Sequence, residues 1–158
     1  LCEKLLSDYS DHVAFPFTLN YFPTSSQPKN AFIIKSHLKK LDIIFIATGS
    51  EVGIAISAAN DLEKKGIGVR VISMLSNEIF DNQDESYKEA ILPPNVDKRI
   101  SIEAGSTSSW YKYVGINGKT IGINSFGESA PGGELLKYFG FTAQNIVDHA
   151  EIMLKKKI

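Results

Sequence analysis

Two rhythms of apolar residues run along this chain. NAFIIK, from Asn30, and LDIIFIA, from Leu41, are short unbroken runs of β-branched and apolar residues, and they read as strands. From Glu51 to Lys65 the rhythm becomes helical, with Val52, Ile56, Ala59 and Leu62 recurring on one stripe. Ser50 stands where an N-cap is expected, and Gly66 where a helix stops. GVRVISM is a third strand, with Val69, Val71 and Ser73 on one face. IFDNQDESYKEAIL reads as a helix ended by Pro93-Pro94. KRISIEA and KTIGINS are two further strands. GGELLKYFG and AQNIVDHAEIMLKKK are helices, the second with Ile146, Val147, Ala150, Met153 and Leu154 on one stripe.

Strands alternating with helices predict βαβ units, hence an α/β fold: a three-layer αβα arrangement around a mostly parallel sheet of about five strands. Such crossovers are right-handed. Ligands of open α/β sheets gather at the carboxyl ends of the strands, where the strand order reverses.

The first 29 residues differ in texture. LCEKLLSDYS reads as a short helix and HVAFPFTL as an edge strand, because Pro16 removes a ladder donor. YFPTSSQPKN, from Tyr21, is a linker by composition. This part is too small to bury a core, so residues 1–29 are expected to end an earlier domain and residues 30–158 to form the next. The chain begins at Leu1 rather than Met, and the expectation is a piece of a longer protein.

Composition narrows the functional classes. Of the 158 residues, 43% are hydrophobic and 22% charged, and the net charge is -1 without a long basic run, which argues against a nucleic-acid-binding face. The longest apolar run, Ile43 to Ala47, is too short for a bilayer, and no signal peptide is visible. Cys2 is the only cysteine, which excludes an intrachain disulfide and fits a reducing, cytoplasmic setting. Arg70 and Arg99 are the only arginines, so bidentate clamps for phosphate are scarce.

Several residues are candidates for chemistry. Thr48-Gly49-Ser50 joins a strand to a helix, a place where unpaired N–H groups can hold an anion. No dinucleotide or Walker fingerprint accompanies it, and Glu51 brings a negative charge to the docking position, so capping and packing are the favoured reading. Glu103 ends a strand before AGSTSSW; it suits a general base or ligand contact, or equally a cap for Gly105-Ser106 or an ion pair across a subunit contact. Ser129 and Pro131 in ESAPGGEL open another helix, where capping is again favoured. His12, His37 and His149 share no metal-ligand spacing, and no serine lies in a G-x-S-x-G elbow. Trp110, Tyr111 and Tyr113 form an aromatic cluster that suits either a core or a subunit interface.

Taken in order, IATGSEV, GVRVISM, ILPP, EAGST, WYKYVG, IGINSFGESAPGGEL and FGFTAQNIV resemble the C-terminal domain of transketolase, from about Asn30 to the end. The preceding residues look like the end of that family's pyrimidine-binding domain. The resemblance implies a homodimeric enzyme that moves a two-carbon ketol unit between sugar phosphates, using thiamine diphosphate and a divalent metal, Mg or Ca. It also implies that cofactor motif and catalytic histidines lie in segments outside this chain. The piece is then structural and dimer-supporting, without catalytic, cofactor-binding or metal-binding residues of its own. Thr48, Gly49, Ser50, Glu103 and Ser106 remain candidates for an anion or regulatory site, and Trp110, Tyr111 and Tyr113 for an interface. One departure is visible. Where the family carries Ser-Arg-Gln, this chain has Thr18, Leu19 and Asn20, so the arginine that helps hold the substrate phosphate is Leu19 here. Other phosphate ligands, an altered substrate such as that of a dihydroxyacetone synthase, and a slipped register all remain open, as does a stand-alone binding or regulatory module.

Overall fold

The computed structural model describes residues 31–37 and 40–155. Residues 1–30, including the linker and the position of Leu19, lie outside the described part. Five strands form one sheet: β1 (Ala31–Ser36), β2 (Ile43–Ala47), β3 (Val69–Met74), β4 (Arg99–Ile102) and β5 (Lys119–Ile121), in the spatial order β1-β3-β2-β4-β5. Four run parallel, and only β1 pairs antiparallel, with β3. The mostly parallel sheet read from the sequence is thus present.

Because β2 is central, all five of its residues are fully buried, and Phe45 lies between Val71 on β3 and Ile100 on β4. Alternation along the strands divides the core in two. Ile43, Phe45, Val69, Val71, Ile100 and Ile102 face α1 (Glu51–Lys64) and a C-terminal helix, Ala143–Lys155. Ile44, Ile46, Ile72 and Met74 face the other way, onto α2 (Asn77–Asp81), α3 (Glu85–Ile91), a 3-10 turn at Ser108–Trp110 and α4 (Tyr111–Val114). A sheet with a helical layer on each face is the three-layer arrangement. The remaining helices in chain order are α5 (Gly132–Tyr138) and α6 (Ala143–Lys155).

Three local expectations change. In α1 the fully buried residues are Ala55, Ala58, Ala59 and Leu62, while Val52 and Ile56 are only partly buried. Small side chains face the sheet there, and a stripe read from large apolar residues points to one side of them. The helix expected before Pro93 is two helices. Asp84 adopts an extended conformation and its Oδ1 accepts the Tyr87 N–H at 2.7 Å, so a local cap restarts the helix. Ser50 occupies the N-cap position but has helical dihedrals, and its hydroxyl donates to Glu51 Oε1 at 3.1 Å instead of accepting a backbone N–H.

Candidate functional site

Chain direction places the candidate residues together. From β2 the chain moves through α1 to β3 on one side, then crosses through α2 and α3 to β4 on the other. The strand order reverses between β2 and β4, so the carboxyl ends of these two strands form the crevice where open α/β sheets hold ligands. Thr48, Gly49, Ser50 and Glu51 leave β2 at that crevice, and Glu103, Gly105 and Ser106 leave β4 beside them.

The turn after β2 needs Gly49 at φ +56, in the left-handed region. Glu51 follows in the first turn of α1, and its carboxylate is buried, with 5% of the residue exposed. Across the crevice, Glu103 Oε2 is buried without a hydrogen-bond partner. Burial raises the Glu103 pKa above the ordinary glutamate range, and the Glu51 charge raises it further. The capping role considered for Glu103 is filled by its backbone, since the Gly105 N–H donates to the Glu103 carbonyl at 2.8 Å. Ser106 Oγ lies 3.0 Å from Ser108 Oγ on the exposed rim.

The floor beneath these residues is closely packed and hydrogen-bonded. Ile123 N–H donates to the Gly105 carbonyl at 2.8 Å, and a Cβ at Gly122 would come within 2.7 Å of that same oxygen. Thr107 is buried, its N–H donates to Asn124 Oδ1 at 3.1 Å, and Asn124 Nδ2 donates to Thr107 Oγ1 at 3.0 Å. This clamp was not legible in the sequence, because the partners lie on successive loops.

The aromatic cluster splits. Trp110 and Tyr113 are 4% and 5% exposed and pack in the core, so they are not surface for an interface; Tyr111 alone is exposed. The i, i+3, i+4 spacing of Trp110, Tyr113 and Val114 was the available signal for an inward helical face. Tyr113 donates its hydroxyl to Asp81 Oδ1 at 2.8 Å, and Lys112 pairs with the same carboxylate. Burial, with the Asp81 charge and hydrogen bond adding to it, pushes the Tyr113 phenol up to about 12.

Both arginines are taken up by the fold. Arg99 donates to the carbonyls of Val96, Tyr113, Leu92 and Pro93, at 2.8 to 3.2 Å. Arg70 Nη1 donates to the carbonyls of Ala90 and Ile91. α5 begins after Pro131 without a side-chain cap, so Ser129 does not serve there. His37 is exposed at the end of β1, His149 lies half-buried on α6, and His12 is outside the described residues. Among the described residues, no three His, Cys, Asp or Glu side chains converge as metal ligands.

Comparison with known proteins places this architecture. The family model for the transketolase-like TK C-terminal domain matches residues 31–142. Transketolase 2 of Aliivibrio fischeri is 54% identical over 126 residues, covering 80% of this chain and 19% of that protein. Among solved structures, transketolase from Leishmania mexicana aligns with a TM-score of 0.72 and 36% identity, over 80% of this chain and 18% of that one. A Pichia stipitis transketolase solved with sedoheptulose-7-phosphate aligns with the same score, identity and coverage. The chain thus spans about a fifth of the length of the curated relatives it matches.

Proposed function

The chain belongs to the transketolase family, as its C-terminal domain, and from that premise we propose that it is a structural, dimer-supporting part of a ketol-transferring enzyme. In this reading residues 1–29 finish the preceding pyrimidine-binding domain and lead into the domain that follows. The complete protein is a cytoplasmic homodimer acting on sugar phosphates, and the thiamine diphosphate and divalent metal are held by segments outside this chain. Among the described residues, no helix is long and apolar enough to cross a membrane.

One observation carries the structural role. At the switch-point crevice, the start of α1 holds its own buried carboxylate, Glu51, where an anionic ligand would need to dock. Glu103 adds a second negative charge on the facing strand, so the crevice repels a phosphate. The donor set agrees: with both arginines hydrogen-bonded to backbone carbonyls and no converging metal ligands, the described residues do not fit a metal-bound diphosphate. No catalytic step is therefore assigned to them.

The role is tested in the full-length protein by comparing it with a version lacking residues 30–158. Weaker dimerisation by sedimentation, with loss of ketol transfer, is expected. A truncated enzyme with an unchanged dimer and full activity would remove the role.

A further inference from the structure

The opposite, amino-terminal edge of the sheet carries a cleft of about 380 Å³, between the approaches to β4 and β5 and one side of α6. It is independent of the crevice and of the role proposed above. Lys98, just before β4, and Lys119, the first residue of β5, bring two ammonium groups to it. Lys119 is exposed and makes no ion pair among the described residues. Lys98 Nζ reaches Asp97 only at 3.7 Å, and Asp97 is also held by the Asn117 amide at 2.8 Å. From α6, His149 faces the same space, half-buried. Burial lowers its pKa, Lys119 lowers it further, and Asp148 opposes both. The Asp148 carboxylate in turn accepts from Gln144 at 2.7 Å. Burial first, and Lys119 second, thus hold the His149 ring toward its neutral form.

Ile116, Ile152 and Met153 supply the apolar part of the lining, beside Asn117 and Gly118. Ile116 is 99% exposed and Ile152 53%, and Met153 lies beside them. Exposed apolar side chains next to two ammonium groups, Lys119 without an ion pair among the described residues and Lys98 in a long one with Asp97, in a cleft of this volume, match a small-molecule site, where an apolar wall holds the body and a few polar groups fix the charge.

We propose that this cleft binds a small phosphate monoester with an apolar body, its dianionic phosphate between Lys98 and Lys119 and its body against Ile116, Ile152 and Met153. Two lysines suit a compact dianion, because an ammonium group binds phosphate as a point charge.

The test is an NMR titration of the 158-residue chain with phenyl phosphate, following the His149 ring signals, which His149→Gln assigns. A saturable shift is expected, with an upward move of the His149 titration midpoint as the bound anion offsets Lys119. Inorganic phosphate should bind at least about tenfold more weakly, and Lys119→Gln should weaken phenyl phosphate by about tenfold or more. Lys119 is exposed, so this variant keeps the fold; a proton spectrum dispersed like that of the unaltered chain verifies it. His37, outside the cleft, reports general screening. The proposal is overturned by an unsaturable His149 shift that His37 shares, by equal binding of inorganic phosphate, or by unchanged affinity in the folded Lys119→Gln chain.

Discussion

Glu51 and Glu103 stand at the carboxyl ends of the adjacent parallel strands β2 and β4, and the charge of the first adds to burial in raising the pKa of the second. Two carboxylates with one buried, unpartnered oxygen between strands are a cost to the fold. Because the folded pKa of Glu103 lies above its unfolded value, the fold binds more protons than the unfolded chain in the window between the two. Stability therefore falls as pH rises through that window and stays lower above it.

Glu103→Gln is expected to raise stability near neutral pH by about 0.5 kcal/mol, a small value because the group is partly solvated, or about 1–2 °C in melting temperature. The gain should shrink toward pH 4, where the native carboxyl is protonated. Thermal melts of both chains at pH 4 and pH 7.5 check this; a variant less stable at pH 7.5 would contradict the electrostatic account.

Arg99 ties four backbone carbonyls around the start of β4. Replacing it with Met leaves those acceptors without their donor and should cost about 2–4 kcal/mol. Lysine, which lacks the planar fork, should recover only part of it. Urea unfolding of both variants measures the difference, and a Met variant as stable as the parent would show that the arginine is free for another role.

Most of the elements were legible in the sequence because periodicity is a local property. The buried run Ile43–Ala47 and the stripe Ile146, Val147, Ala150 both led to the right element. What failed was non-local or depended on side-chain size. The proximity of Glu51 to Glu103 follows from β2 pairing with β4 rather than from any spacing. The antiparallel direction of β1 leaves no trace in its apolar pattern. The stripe Val52, Ile56, Ala59 and Leu62 contains two of the buried positions, Ala59 and Leu62, but not Ala55 and Ala58, whose small side chains carry little apolar signal. Asp84 lies inside a pattern that reads as one continuous helix, which its side-chain cap restarts.

The Tyr113 phenol, hydrogen-bonded to Asp81 and buried, is expected to stay un-ionised well past the ordinary tyrosine range and to titrate near pH 12. Its raised folded value means that stability is lost as pH climbs from about 10 toward 12. The difference in phenolate absorbance between the parent and Tyr113→Phe should appear only at the top of that range. An absorbance difference centred near pH 10 would place Tyr113 in solvent.

Gly122 lies against the Gly105 carbonyl and the Thr107 methyl, each 2.7 Å from where its Cβ would stand. Gly122→Ala should push the Gly105 loop away from β5 and cost about 1–3 kcal/mol. Urea unfolding together with the amide shifts of Gly105 and Thr107 checks both parts. A stable variant with unmoved shifts would mean that the crevice floor is looser than described.

Calorimetric titration of the 158-residue chain with thiamine diphosphate and Mg²⁺ addresses the structural role most directly. The account predicts no Mg²⁺-dependent saturable heat, since no metal ligands converge among the described residues and both arginines are held by backbone carbonyls; a Mg²⁺-independent heat that Lys119→Gln removes belongs to the lysine cleft instead. Stoichiometric, Mg²⁺-dependent binding of the cofactor to this chain alone would contradict it.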